Sequence, residues 1–180
     1  MLHTCLNVLD KPIMTRFISV FLILLLALFG LEMLEPVHMG VVEPFTGFLA
    51  KLSAAIITPF DESVIAYGRI IQDSINGFAI SIESGCNGVE ATIVLIAAVI
   101  AFPATWRQRL AAILLGFLAI QVANLMRIIS LFYLGQWNMD VFSWIHLYLW
   151  PVLIMIDVLV VFILYLRYIS KPAPRAKLAP

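Results

Sequence analysis

Apolar residues fall in long runs along the chain, and short polar segments separate them. A helix needs about 20 mainly apolar residues to cross the ~30 Å hydrocarbon core of a bilayer. Four runs reach this length with their flanking residues, which predicts an all-α polytopic membrane protein with about four transmembrane helices. The predicted spans are residues 13–34, 87–105, 109–134 and 144–168.

Residues 35–85 are less hydrophobic, and we predict that they lie at the outer surface of the membrane. Within them, residues 45–60 mix polar with apolar positions, as a small amphipathic helix in the membrane interface does. From residue 67 to residue 84 the pattern favours strand, and the Asn76-Gly77 pair is typical of a hairpin turn. A β-hairpin is therefore predicted just before Cys86.

Composition agrees with a single membrane domain. Of the 180 residues, 63% are hydrophobic and 12% are charged, whereas soluble domains carry about a quarter charged residues. The 11 basic and 11 acidic residues balance, so no basic surface indicates a nucleic-acid partner, and the lipid bilayer is the expected environment. Cysteine and histidine spacing indicates no metal site, and no cofactor is expected.

The basic residues are distributed unevenly. Cytoplasmic segments of membrane proteins are enriched in Lys and Arg, and four crossings place most basic residues on one side. Residues 1–12 and 169–180 are therefore predicted to be cytoplasmic tails, with residues 35–85 in the periplasm of a bacterial inner membrane. Cys5 and Cys86 then lie on opposite sides, so no disulfide is expected, and Met14 is an alternative start. The basic residues predicted to be cytoplasmic are Lys11, Arg16, Arg107, Arg109, Arg167, Lys171, Arg175 and Lys177.

Cys86 lies between two glycines and immediately before an apolar run. Asn87 with Glu90 three residues later resembles a capping box, which predicts that a helix begins at Asn87. The dipole at a helix N-terminus favours an anion and lowers the pKa of a nearby thiol. Cys86 is therefore a candidate nucleophile with Asn87 and Glu90 in support, and the alternative is a small buried residue at a helix start.

Arg127 lies within an apolar segment, near the predicted outer boundary of the membrane. An ionisable residue there is costly unless it is paired or hydrated, which makes it a candidate for function. Asn124 lies on the same helical face and is a candidate supporting residue. The alternative is an interfacial arginine that binds lipid phosphate or a carboxylate of Glu83, Glu90 or Asp140.

His146 follows Ser143, a predicted N-cap, at the start of the last span. A helix N-terminus disfavours a second positive charge, so a neutral imidazole is expected. The alternative is an amphipathic residue in an interfacial belt with Trp144 and other aromatic side chains. Asp157 lies too far along the helix for a catalytic relay and is predicted to bond to Gln121 or Asn124.

Cys86, Arg127 and His146 all come to the outer face in this topology. Cys86 would attack a peptide carbonyl, His146 would move the proton, and Arg127 would stabilise the oxyanion. The thioester could then pass to water or to an amine acceptor. Two alternatives stay open: a non-enzymatic assembly or secretion factor with a structural cysteine, and a small transporter or channel subunit.

The chain resembles the exosortase/archaeosortase family of membrane cysteine transpeptidases or proteases, and most closely its compact exosortase H subfamily. Three blocks carry the resemblance: Gly85-Cys86-Asn87-Gly88, Asn124-Leu125-Met126-Arg127-Ile128, and His146 at the last span. The resemblance implies that Cys86, Arg127 and His146 are catalytic. It also implies substrate proteins with a C-terminal recognition motif, a membrane span and a basic cluster.

The motif associated with exosortase H-like enzymes is of the Ile-Pro-Thr-Leu-x-x-Trp-Gly type, and others recognise Pro-Glu-Pro. The candidate contacts for the substrate are Ile80 and Ile82 on the predicted hairpin, together with Trp144. An extended motif could add a strand to that hairpin by backbone pairing. Larger relatives have additional spans, so any binding role of those spans is absent here or is supplied by residues 35–85.

Overall fold

The computed structural model describes residues 11–170, with side chains from Met14 onward; Cys5 and most of both predicted tails lie outside this range. The described chain is mainly helical, with one small sheet. Its elements are α1 (Lys11–Glu32), α2 (Glu35–Val37), a π turn (His38–Val42), α3 (Glu43–Ile57), β1 (Val64–Tyr67), β2 (Ile70–Asp73), β3 (Ala79–Ser81), α4 (Val89–Ala101), α5 (Trp106–Trp137), α6 (Met139–Trp144), a π turn (Ile145–Leu149) and α7 (Trp150–Ile169).

Four helical segments of the described chain are long and apolar enough to cross a membrane, which agrees with a polytopic all-α protein. Their identity differs from the prediction in one place. Residues 35–57 form a continuous helical segment of spanning length, whereas the predicted span 87–105 contains only the 13-residue helix α4. The four segments are Met14–Glu32, Glu35–Ile57, Trp106–Trp137 and Met139–Ile169.

Capping explains why the last helical segment begins earlier than predicted. The Asn138 side chain accepts hydrogen bonds from the backbone N–H groups of Asp140 and Val141, so the helix starts at Met139. Ser143 is not the N-cap, because its hydroxyl donates to the Met139 carbonyl within the helix. His146 therefore lies in the π turn between α6 and α7, not at a helix start.

The segment before Cys86 holds a three-stranded antiparallel sheet in the order β1-β2-β3, where the sequence predicted one hairpin. Strands β2 and β3 are joined by a turn through Asn76-Gly77, and Gly77 has a φ of 76°. That left-handed backbone explains why glycine stands there. Strand β1, which pairs with β2 from Val64↔Asp73 to Tyr67↔Ile70, is the additional element.

Buried apolar residues form two separate cores, which we name the sheet core and the bundle core. The sheet core joins α3 and the sheet to the C-terminal half of α5, and the bundle core joins α4, the middle of α5 and α7. The sheet core contains Leu49, Ala50, Ala54, Ile57, Val64, Ile71, Ile82, Ile128 and Phe132. The bundle core contains Ala91, Leu95, Val99, Ile120, Ile154, Val158 and Tyr165.

Candidate functional site

The segment that carries Cys86, residues 83–88, connects the sheet to α4 and is named the cysteine loop. Gly85 and Gly88 have φ values of 83° and 75°, and these left-handed positions let the loop turn twice within four residues. The buried Asn87 amide donates to the Thr46 hydroxyl on α3 at 3.1 Å. The loop is thereby held against the sheet core, and Cys86 packs on that core.

The helix start predicted at Asn87 is wrong. Helix α4 begins at Val89 with Gly88 as N-cap, two residues later than expected. Asn87 still accepts a hydrogen bond from the Val89 N–H at 3.0 Å, but Glu90 reaches back to the N–H of Gly85. Glu90 therefore closes the cysteine loop around Cys86 and not the first turn of the helix.

Arg127 on α5 joins the loop to the bundle. Its side chain is buried, and one Nη donates to the Gly85 carbonyl at 3.1 Å while the other donates to Cys86 Sγ at 3.4 Å. Among the described residues no carboxylate lies within 4.0 Å of it, and the nearby Glu83 pairs with Arg69 at 3.1 Å. Arg127 is thus a buried cation whose hydrogen-bond partners in the described chain are a backbone carbonyl and the Cys86 thiol.

His146 faces the same small space as the thiol. Cys86, Arg127 and His146 line one cavity of about 40 Å³, which we name the site cavity. The imidazole stacks on Phe142 with ring centres 5.5 Å apart, and its buried Nδ1 has no hydrogen-bond partner among the side chains described. The structure therefore brings together the three residues predicted to form the site.

The predicted substrate contacts divide into two groups. Ile80 and Ile82 line the site cavity, as does Ser81 between them. Trp144 does not line it: this side chain is 59% exposed and packs against Tyr148, with ring centres 6.2 Å apart. Trp144 is therefore a surface aromatic, as the alternative of an interfacial belt predicted.

The thiol is not activated by its surroundings in the way the sequence suggested. Burial raises the pKa of Cys86, the Arg127 guanidinium opposes that rise, and the carboxylates of Glu90 and Glu83 add to it. The expectation of a lowered pKa is therefore wrong. The thiol packs on the sheet core, and removal from water penalises the thiolate more than the adjacent cation favours it.

A second, larger cavity lies on the other side of Arg127. It measures about 250 Å³, and we name it the bundle cavity because its walls come from α1, α4, α5 and α7. Asn124 lines it and is fully buried, yet neither atom of its amide has a hydrogen-bond partner within residues 14–170. Glu90 and Arg127 also line it, so the candidate supporting residues Glu90 and Asn124 both face this space.

The predicted bond from Asp157 to Gln121 or Asn124 is absent from the described structure. Both amides and one Asp157 carboxylate oxygen are buried without a partner there. Sequence reasoning also missed Thr46 and Phe142. Phe142 precedes His146 by four residues, a helical spacing that could have indicated contact, whereas Thr46 is 41 residues from Asn87 and no local pattern points to it.

Comparison with known proteins gives one finding for this chain. A family model described as transmembrane exosortase matches residues 2–165. Neither the curated proteins nor the solved structures give a significant match. The family match covers α1 to α7 almost entirely, and so includes the cysteine loop, Arg127 and His146.

Proposed function

The chain belongs to the transmembrane exosortase family, and from that premise we propose that it is a cysteine peptidase or transpeptidase of exported proteins. Its place in the family implies a membrane protein that processes sorting signals. One observation carries the assignment of residues: the buried Arg127, without a carboxylate partner in the described chain, donates to the Cys86 thiol in a cavity shared with His146.

The proposed reaction has two halves. In the first, a ring nitrogen of His146 takes the proton from Cys86 Sγ as the sulfur bonds to the substrate carbonyl carbon. The negative oxygen that forms is stabilised by the Arg127 guanidinium, which stays charged throughout. The C–N bond then breaks, the imidazolium gives its proton to the departing amine, and a thioester on Cys86 remains.

In the second half, water or an amine attacks the thioester carbonyl and gives its proton to His146. The tetrahedral intermediate expels Cys86 as thiolate, which recovers a proton from the imidazolium. The raised pKa of Cys86 fits this use of a base, because the resting thiol is neutral and is deprotonated only during attack. The identity of the acceptor decides between hydrolysis and transpeptidation.

The proposed substrates are exported proteins with a C-terminal recognition motif, one membrane span and a cytoplasmic basic cluster. The site would face the periplasm of a bacterial inner membrane, and the compact chain fits the exosortase H subfamily. A substrate anchored by its own span meets the enzyme in two dimensions at a fixed height. That restriction raises the effective concentration of the scissile bond near Cys86.

Co-expression with a reporter that ends in a tail of the Ile-Pro-Thr-Leu-x-x-Trp-Gly type tests the proposal. Cys86→Ala should abolish tail removal, because no nucleophile remains. Arg127→Ala should lower the rate by about 10²–10³ through loss of the oxyanion donor. His146→Ala should lower it by about 10²–10⁴ through loss of the acid and base. Immunoblots and mass spectrometry of the reporter give rate and cleavage position.

Matched controls replace a residue of the same type elsewhere: Cys5→Ser, Arg167→Ala and His38→Ala should each process the reporter at the normal rate. Processing that continues in Cys86→Ala, Arg127→Ala and His146→Ala would remove the mechanism. Full processing by Cys86→Ser would exclude Cys86 as the nucleophile and leave it a structural cysteine.

A further inference from the structure

Arg127 lines both the site cavity and the bundle cavity, and different secondary-structure elements form the rest of the two walls. The site cavity is bounded partly by strand β3 and holds the thiol, whereas the bundle cavity is bounded by helices of spanning length and by α4. Gly85 lines the bundle cavity and Cys86 lines the site cavity, so the cysteine loop separates the two. A peptide that crosses Cys86 in an extended form therefore passes from the sheet side to the bundle side.

Among the side chains that line the bundle cavity, Asn124 carries an amide without partners in the described chain. Its side chain is fully buried, and both the amide nitrogen and the amide oxygen lack a partner within the described chain. A buried polar group without a hydrogen-bond partner destabilises the folded protein. Arg127 Nε is also buried, and it has no hydrogen-bond partner among residues 11–170. A group that enters the bundle cavity would relieve that destabilisation by bonding to these atoms.

We propose that the bundle cavity receives the substrate residue on the membrane side of the scissile bond, and that the Asn124 amide binds the adjoining peptide group. This inference rests on the proposed function and adds a binding site to it. A peptide bond under attack is extended, so its neighbours lack the internal bonds of a helix. Near the hydrocarbon region such groups need protein partners, and an Asn amide both donates and accepts.

The size and lining of the cavity define the side chain that it takes. A cavity of about 150 Å³ lined by apolar groups holds benzene, so 250 Å³ accommodates a large aliphatic or aromatic side chain. Phe29, Val94, Pro151, Ile154 and Met155 supply the apolar wall. The preferred residue at this substrate position is therefore large and apolar.

Filling the cavity tests the proposal with a change in specificity. Reporters carry Ala, Leu, Phe or Trp at each position flanking the cleavage site, which mass spectrometry of the released product defines. The unmodified enzyme should prefer the large residues on the membrane side of the bond. In Val94→Phe the rate for these reporters relative to the Ala reporter should fall by roughly 10–200-fold, since pocket discrimination has this magnitude.

Ile96→Phe is the matched control, because Ile96 is half-buried on the same helix and does not line the cavity. It should leave the preference unchanged. A Val94→Phe enzyme that slows all reporters equally, or none, overturns the assignment of the cavity. Because Cys86→Ala is run with the same reporters, failure of the cavity and failure of the cysteine mechanism give different results.

Substitution of Asn124 tests whether its amide binds the substrate backbone. Asn124→Leu should slow every reporter about tenfold or more, while iodoacetamide still alkylates Cys86 at the normal rate, which shows that the loop is folded. Asn124→Gln, which keeps the amide, should recover part of the loss. Normal processing by Asn124→Leu overturns the role of this side chain.

Discussion

At the scale of single residues, the charge of Arg127 dominates the site. A guanidinium inside a membrane protein is normally paired with a carboxylate or hydrated, because an unpaired buried charge costs several kcal/mol. Here its near contacts are a carbonyl and a thiol. Neither carries a full negative charge, and this arrangement agrees with the proposed role of Arg127, in which the guanidinium stabilises the anion formed during the reaction.

The pH dependence of thiol alkylation tests the electrostatics of this residue. Burial raises the pKa of Cys86, and Arg127 lowers it. Removal of the cation in Arg127→Gln should raise the pKa further, so the thiolate forms at higher pH and iodoacetamide reacts more slowly near neutrality. Alkylation rates across a pH series in purified membranes measure the shift.

Glu83→Gln should shift the pKa of Cys86 in the opposite direction to Arg127→Gln. Glu83 contributes to raising the pKa of the thiol, so its removal should move the alkylation profile to lower pH. If Arg127→Gln and Glu83→Gln move the profile in the same direction, the charges do not set the reactivity of Cys86 as described.

The three site residues could be predicted from sequence because each is chemically out of place in or beside an apolar run. Their environments could not be predicted in the same way. Whether a thiol at a helix start is activated depends on how deeply it is buried, and the sheet core that buries Cys86 includes α3, about 40 residues earlier. Long-range packing reversed the expected direction of the pKa.

At the scale of elements, one edge of strand β3 pairs with no other strand of the described chain. The bonds from Asp73 N–H to the Phe78 carbonyl and from Ile82 N–H to the Arg69 carbonyl define the alternation. Backbone groups of residues 78, 80 and 82 point to β2, so those of Ala79 and Ser81 point outward. Ser81 also lines the site cavity, and its edge is exposed.

This geometry refines the predicted addition of a substrate strand. Ser81→Pro removes an outward N–H and leaves the β2–β3 ladder intact, which is where a strand tolerates proline. We expect KM for the reporter to rise roughly two- to tenfold, the equivalent of one lost hydrogen bond. Steady-state processing in detergent measures KM and kcat.

Ser81→Ala keeps the N–H and is the matched control, with normal KM expected. Ile80→Pro should instead lower the thermal stability of the protein, because that N–H belongs to the sheet ladder. An unchanged KM in Ser81→Pro would exclude strand addition at this edge.

The hairpin could be predicted because Asn76-Gly77 is a local turn signal. Strand β1 and the true start of the last helix follow from less obvious features. Asn138 and Ser143 both carry side chains that commonly serve as N-caps, so the sequence offers two helix starts five residues apart. Only the hydrogen bonds to the backbone identify Asn138 as the N-cap. Strand β1 depends on its pairing with β2.

At the scale of the whole molecule, contacts between helix ends indicate which ends lie on the same side of the predicted membrane. Phe17 near the start of α1 packs on Phe102 at the end of α4, with ring centres 6.1 Å apart, while Phe29 lines the bundle cavity beside Arg127. Residues 35–57 follow directly after the C-terminal end of α1, which is the end that carries Phe29. Beyond the other end of this segment, Asp61 accepts a hydrogen bond from Tyr133 near the C-terminus of α5.

Both ends of residues 35–57 thus lie toward the site, although the segment is long enough to cross a membrane. We predict that it does not cross and that α4 does, which gives cytoplasmic N- and C-termini. Single cysteines at Glu62 and at Ala104, placed in a Cys5→Ser/Cys86→Ser background, test this. A membrane-impermeant maleimide on intact spheroplasts should label position 62 and not position 104.

Permeabilised membranes serve as the control, since both positions should then react. If position 62 is not labelled in intact spheroplasts, residues 35–57 cross the bilayer and the predicted topology is wrong. Position 104 is then also unlabelled if α4 does not cross, and is labelled if α4 crosses as well. Hydropathy alone could not make this distinction, because residues 35–57 are apolar enough to span and α4 is shorter than a typical span.

The bond between Arg127 and the Gly85 carbonyl also bears on how the protein is made. Synthesis proceeds from the N-terminus, so the cysteine loop and its carbonyl acceptor leave the ribosome before the arginine on α5. The cation therefore meets a waiting partner as its helix enters the bilayer. His146 is translated last of the three residues. In the proposed mechanism Cys86 lacks its base until then, so the order of the three residues along the chain would delay activity until the last helix has been translated.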